Sequence, residues 1–187
     1  VKYSPSPNLQ ILGGKLENPF VVTELVWDSD LHPNGAVVST SFETAQGGFK
    51  FTGRVGDFYA SHYLHDRTNV IGVQGLAQAS TGPARFTFSA AYYDHNVDDL
   101  AVPLLRTNTR SGNELANDYN LMDLIARARW NFTVPITAQI DYVKNFAADT
   151  FINAAPGNGN DAYMAEFLIG QMQQPFGFRA GYSYHWV

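Results

Sequence analysis

What most constrains this chain is a two-residue alternation that returns in segment after segment. In "LMDLIARARWNF", residues 121–132, Met122, Leu124, Ala126, Ala128, Trp130 and Phe132 alternate with Leu121, Asp123, Ile125, Arg127, Arg129 and Asn131. Successive side chains of a β-strand point to opposite faces. One face of this segment would be apolar and end in aromatics, and the other would carry an acid and two arginines. The same pattern runs through Ala36–Glu43, Phe49–Tyr59, Asn69–Ala79, Arg85–Tyr93, Ile136–Phe146, Tyr163–Met172 and Phe178–Val187, with a further segment at Leu9–Lys15. Leu121, Leu124, Ile125, Ala128 and Phe132 also fit helical spacing. The neighbouring segments, however, contain Gly72, Gly75, Gly177 and Gly181, and glycine is a poor helix former. Strand is the expectation throughout.

The connections carry a second pattern. Ala45–Gly48, Ser80–Ala84, Thr133–Pro135 and Gln173–Pro175 are short and rich in turn formers. Leu16–Gly35, Ala60–Thr68, Asp94–Asn120 and Ala147–Asp161 are long. Short and long alternate without exception. In an up-and-down sheet every short turn then falls at one end and every long loop at the other, the asymmetry of a transmembrane barrel. The segments run about 9–12 residues, against the ~9–11 that cross a bilayer at a tilt and the ~5–6 usual in soluble strands. Aromatics near segment ends (Tyr92, Tyr93, Trp130, Phe132, Tyr163, Tyr184 and Trp186) suit interfacial girdles. The plainer reading makes them ordinary core residues.

Composition agrees. Charged residues are 16% of the chain, below the ~25% usual for a soluble domain. A net charge of −5 argues against a nucleic-acid partner. The absence of cysteine excludes disulfides and thiolate metal sites. No stretch approaches the ~20 apolar residues of a membrane helix, which leaves a barrel open because barrel strands alternate. The expected fold is an all-β, transmembrane antiparallel up-and-down β-barrel, one domain over residues 1–187, with eight strands and a ninth at Leu9–Lys15. Alternation alone also fits a soluble lipocalin-like carrier with its apolar face inward. Mid-strand charges of both signs and the loop asymmetry favour the membrane orientation, with apolar sets on lipid and polar sets in a wet lumen.

In that orientation Lys50, Arg54, Arg85, Arg127, Arg129 and Arg179 line the lumen against Glu43, Asp123, Asp141 and Glu166, with His185 among them. The basic surplus predicts a weak anion preference. The plainer alternative is that these charges solvate the lumen and pair across strands. Lys144 falls on the outward set, where a midplane position costs ~2–4 kcal/mol and an interfacial one ~0–1. Its place toward the far end of its strand lets it snorkel to the headgroups. Val70, Leu76, Val143 and Leu168 would point inward. The acids Asp94, Asp98, Asp99, Glu114 and Asp118 of one long loop are candidate ligands for divalent cations or lipopolysaccharide, although scattered solvated acids are the commoner case. "DSDLHPNG", residues 28–35, opens like a calcium loop but lacks the later ligands. Asn34-Gly35 reads instead as a turn into the next strand. The histidines His32, His62, His65, His95 and His185 have no metal-ligand spacing, and neither GxSxG nor a phosphate-cradling glycine loop is present. The expectation is a non-enzyme without metal or cofactor.

The stretch "GGKLENPFVVTELVWDSDLHPNGAVVS", residues 13–39, resembles a family of bacterial outer-membrane porins. Gly14-Lys15 ends a strand, Asn18-Pro19-Phe20 follows, then Trp27-Asp28, then Asp30-Leu31, Pro33 and Gly35 before a new strand. The terminal "GFRAGYSYHW" is similar to strands of such proteins. The resemblance implies passive diffusion of small hydrophilic solutes and ions through a barrel of about sixteen strands in the outer membrane of a Gram-negative bacterium. It also implies contact with lipid and lipopolysaccharide, a homotrimer by analogy, and no catalytic residues. By the same analogy Asn18–Leu31, with Asn18, Pro19, Phe20, Trp27, Asp28 and Asp30, would fold into the pore as a constriction. Eight or nine strands are about half of such a barrel, so the reading is part of a longer chain. The alternative is a complete small barrel with a structural, adhesive or ligand-binding role.

Overall fold

Each alternating segment forms a strand. The computed structural model describes residues 1–28, 30–44, 48–61, 68–96, 110–111, 114–115, 119–147, 160–172 and 177–187. The strands are β1 (Lys2–Ser6), β2 (Leu9–Lys15), β3 (Asn34–Glu43), β4 (Phe49–Ser61), β5 (Thr68–Thr81), β6 (Ala84–Asn96), β7 (Arg110–Ser111), β8 (Glu114–Leu115), β9 (Tyr119–Trp130), β10 (Ile136–Asn145), β11 (Asp161–Gly170) and β12 (Arg179–Trp186). Ten of them form one antiparallel sheet in chain order, with β6 pairing directly to β9, while β7 and β8 form a separate pair. Among the described residues no pairing joins β1 to β12, so the sheet is open. Ladder hydrogen bonds between chain neighbours give an up-and-down arrangement, with the β1–β2, β5–β6 and β9–β10 turns at one end. At the β5–β6 turn Gly82 takes a φ of 53°, the left-handed value that a two-residue hairpin needs at its first central position.

The sheet carries one strand more than the alternation marks out. β1, "KYSPS", has Pro5 inside it, and its register with β2 shifts between Tyr3 and Ser6. A proline cannot donate to a ladder and is tolerated on an edge strand, which is where β1 sits. Asn34-Gly35 is not a turn: both residues are already paired in β3, opposite Lys15 and Gly14. Glycine is needed there because a Cβ on Gly35 would stand 2.2 Å from the Asp57 carbonyl oxygen of β4.

The two faces of the sheet differ as the alternation requires. On β10, Ile140 is 61% exposed and its neighbour Asp141 only 3%. Phe51, Val55, Val73, Phe88, Phe167 and Tyr182 share the exposed face. Val37, Thr52, Gln74, Ser89, Ile125, Gln139 and Val143 share the covered one. A water-soluble sheet buries its apolar side, and this one exposes it. Tyr93 is a correction to the girdle reading. Tyr92 is exposed, so its neighbour must point the other way, and Tyr93 is buried on the inner face. At one rim of the exposed face Tyr142 stacks on Tyr163 at 5.0 Å, and Tyr163 meets Trp186 at 5.4 Å. Lys144 lies beside them and pairs with Asp161 of β11 at 3.2 Å, with Tyr142 donating to the same Asp161 oxygen at 2.6 Å.

The turn Gln173–Pro175, residues 45–47, and the greater part of the three long connections after β4, β6 and β10 lie outside the described residues. So do Asp98, Asp99, Asp118, His62 and His65.

Candidate functional site

The inner face is organised by one segment, Leu16–Pro33, that leaves β2 and returns to β3 after crossing the sheet. Its ends are held by the Leu16 N–H donating to the Pro33 carbonyl at 2.8 Å. Phe20 is driven into the face: its ring packs edge-on to Phe58 of β4 at 5.4 Å and against Tyr93 of β6 at 5.8 Å. Trp27 meets the other side of Phe58 at 5.7 Å. With Leu16, Val37, Val70 and Ala91 these rings make a buried cluster on the inner face. The seat for Phe20 exists because β4 and β5 place Gly56 and Gly72 beneath it. A Cβ on Gly72 would meet the Phe20 ring at 3.2 Å, and one on Gly56 would meet Val37 at 2.9 Å. Burying such a ring stabilises by about 1.5–3 kcal/mol, and each edge-on contact adds roughly 0.5–1.5 kcal/mol.

Polar anchors fix the register of the segment. Gln74 of β5 is 1% exposed. Its amide nitrogen donates to the Val21 carbonyl at 2.7 Å, and its amide oxygen accepts from the Val21 N–H at 2.9 Å. A side-chain amide thus replaces a neighbouring strand for one residue of the loop. Arg54 of β4 donates to the same Gln74 oxygen at 2.8 Å and holds the amide in that orientation. Further along, the Thr23 carbonyl accepts from the Trp27 N–H at 3.0 Å, closing a turn, while the Thr23 hydroxyl donates to Asp141 of β10.

The candidates divide between the loop and the wall. Phe20 and Trp27 are buried against the sheet, and the Asn18 side chain accepts from the Phe20 N–H at 3.0 Å. Pro19 is half-buried. Asp28 and Asp30 are exposed on the loop, as are Glu17 and Glu24. On the wall Asp123 and Asp141 are on the inner face but covered, at 1% and 3% exposure. They are therefore not open lumen charges, because the loop lies over them.

Away from the loop the wall is open and basic. A recess of about 390 Å³ is lined by Arg85, Arg127, Arg129 and Arg179, with Glu166 and Gln139. The register explains the convergence: Arg85 faces Arg129 across β6 and β9, Arg127 faces Gln139, Gln139 faces Glu166, and Arg179 enters from β12. Arg127 donates to Gln139, and Arg129 donates to Asn131 at 2.9 Å. Among the described residues no carboxylate is within ion-pairing distance of these four arginines. Lys50 is exposed near the end of β4, between Glu43 and Gln78.

The family model described as "Putative porin" matches residues 1–101, which covers β1 to β6 and the whole inward segment. The chain belongs to this porin family. Comparison with curated proteins and with solved structures finds no match. Within the porin the matched half supplies the loop and its seat, and the arginine recess is shared between β6 and the strands that follow it. Sequence reasoning missed Gln74, Thr23 and Phe58 as the loop's anchors. Gly56 and Gly72, at two-residue spacing from Phe58 and Gln74 on inward positions, were the local signal for a seat. Among the described residues no three His, Cys, Asp or Glu side chains converge as metal ligands.

Proposed function

We propose that this chain forms the wall of an outer-membrane pore through which small hydrophilic solutes and ions diffuse passively, with a weak preference for anions. The observation that carries the reading is the inner-face recess in which Arg85, Arg127, Arg129 and Arg179 outnumber the carboxylate of Glu166 and make no ion pair among the described residues. Such a basic wall raises the local concentration of anions in an aqueous path. Burial of Asp123 and Asp141 supports it, because the acids that would balance the arginines are withdrawn from solvent. The inward segment narrows the path, and its exposed acids Glu24, Asp28 and Asp30 stand in its aqueous side. The exposed apolar face supports contact with lipid.

The test is planar-bilayer conductance of the natively extracted protein under a KCl gradient. Stepwise currents with a reversal potential of anion-preferring sign are expected. Silence from protein shown to be folded and inserted would remove the reading. It would favour a plugged small barrel instead, a reading supported by the apolar cluster of Phe20, Trp27, Phe58 and Tyr93 filling the inner face.

Lipid contact has its own test. Ala126 lies on the exposed face between Phe88 and Ile140. Ala126→Arg is expected to cost up to ~2–4 kcal/mol of insertion free energy, as a cation does at the bilayer midplane. Thr87→Arg, on the recess side, should insert as the wild type does. Equal insertion of both variants into vesicles, read by heat-modifiable mobility, would refute the lipid-facing assignment.

A further inference from the structure

We propose that Asp123 and Asp141 bind one divalent metal cation of the Ca²⁺ or Mg²⁺ class at the junction between the inward segment and the wall. Asp123 on β9 stands opposite Val143, and Asp141 on β10 stands opposite Ile125, so the two carboxylates are diagonal neighbours on one face. Both are almost completely buried. Three of their four oxygens, both of Asp123 and Oδ1 of Asp141, have no hydrogen-bond partner among the described residues. The fourth accepts from the Thr23 hydroxyl.

A second set of atoms points to the same place. Ser89 and Tyr93 on β6 flank Ala91, which is the residue directly opposite Asp123. Each is 1% exposed, and neither hydroxyl oxygen has a partner among the described residues. Buried polar atoms are normally satisfied, and a buried carboxyl group takes either a proton or a countercharge. Among the described residues no cation supplies it. Arg54 is committed to Gln74, Arg127 to Gln139, and Lys144 to Asp161. What remains is a cluster rich in oxygen acceptors, with two carboxyl groups and neutral hydroxyls from β6 and the loop. Hard divalent cations take such oxygen ligands, and two carboxylates match their charge. Thr23 ties the site to the segment that covers it, so the cation would stabilise the docked loop. This inference does not depend on whether the barrel conducts.

The experiment uses the full-length protein in detergent, stripped with EDTA and titrated with CaCl₂ by calorimetry and by thermal unfolding. One saturable site per chain and a rise in Tm are expected. Asp123→Asn and Asp141→Asn should each weaken Ca²⁺ binding at least tenfold and abolish the Tm rise, while Glu17→Gln, on the exposed side of the loop, changes neither. Because Asn removes a buried charge, EDTA-treated Asp123→Asn should melt no lower than EDTA-treated wild type. Should that variant fail to fold, Ser89→Ala replaces it, with a severalfold loss of Ca²⁺ affinity expected. A wild type whose Tm ignores Ca²⁺ and Mg²⁺ but rises on acidification would show a shared proton in place of a metal and overturn the proposal. Full retention of Ca²⁺ binding in folded Asp123→Asn would do the same.

Discussion

Exchanging Arg85, Arg127, Arg129 and Arg179 together for glutamine should reverse the charge preference of the path. A unit charge about 5 Å from a passing ion contributes on the order of 0.8 kcal/mol in water, and ionic screening reduces it. Four such charges sum to roughly 2 kcal/mol, or more than tenfold in the anion-to-cation permeability ratio. The reversal potential under a KCl gradient should change sign in the quadruple variant and shift in smaller steps in the single ones. Stability should move little, because Arg85, Arg129 and Arg179 are exposed and make no ion pair among the described residues. Arg127→Gln loses its contact to Gln139, and Arg129→Gln loses the exposed one to Asn131. An unchanged reversal potential in a folded quadruple variant would mean that permeating ions do not pass this recess.

Freeing the inward segment should have the larger effect on the size of the current. Phe20→Ala removes a buried aromatic, at about 3–5 kcal/mol. Gln74→Ala removes both bonds to Val21, at about 1 kcal/mol each, and leaves Arg54 without its acceptor. The sheet keeps its ladder in the double variant, so the loss falls on docking of the loop and not on the wall. The expected result is a several-fold rise in single-channel conductance with added flicker, together with new proteolytic cleavage within residues 16–33. Cleavage without any change in conductance would show that the segment does not narrow the path.

The strands were legible because their information is local. Each inward or outward position follows from its neighbour by a period of two, and residues 121–132 declare both faces within one segment. β1 was illegible for the opposite reason: "KYSPS" is short, polar and broken by Pro5, and only the partner β2 makes it a strand. Tyr93 was assigned outward by aromatic content at a segment end, although the parity of β6 with Tyr92 outside already required it to point in. The arginine recess was half legible. Parity put all four arginines on one face, but which of them meet depends on strand registers that no single segment encodes. Asp123 and Asp141 were placed on the correct face and read as open lumen charges. Their cover comes from a loop far away in the chain, joined to Asp141 by a contact spanning 118 residues. The residue types that anchor the loop, a glutamine and a threonine, are unremarked in isolation.

That separation has a kinetic consequence. Strands of the large sheet pair in chain order, so the wall can assemble hairpin by hairpin, and even its longer connections close at modest entropic cost because that cost grows slowly with loop length. The Val21–Gln74 bonds span 53 residues and the Thr23–Asp141 bond 118. The first needs β5 in place, and the second needs β10. Docking of the segment is therefore a late event in two stages: the Phe20 seat between β4, β5 and β6 is complete well before its acidic latch exists. A chain folded as far as β6 would already hold the loop by its aromatic end, and its second fastening waits for β10 to arrive beneath Thr23.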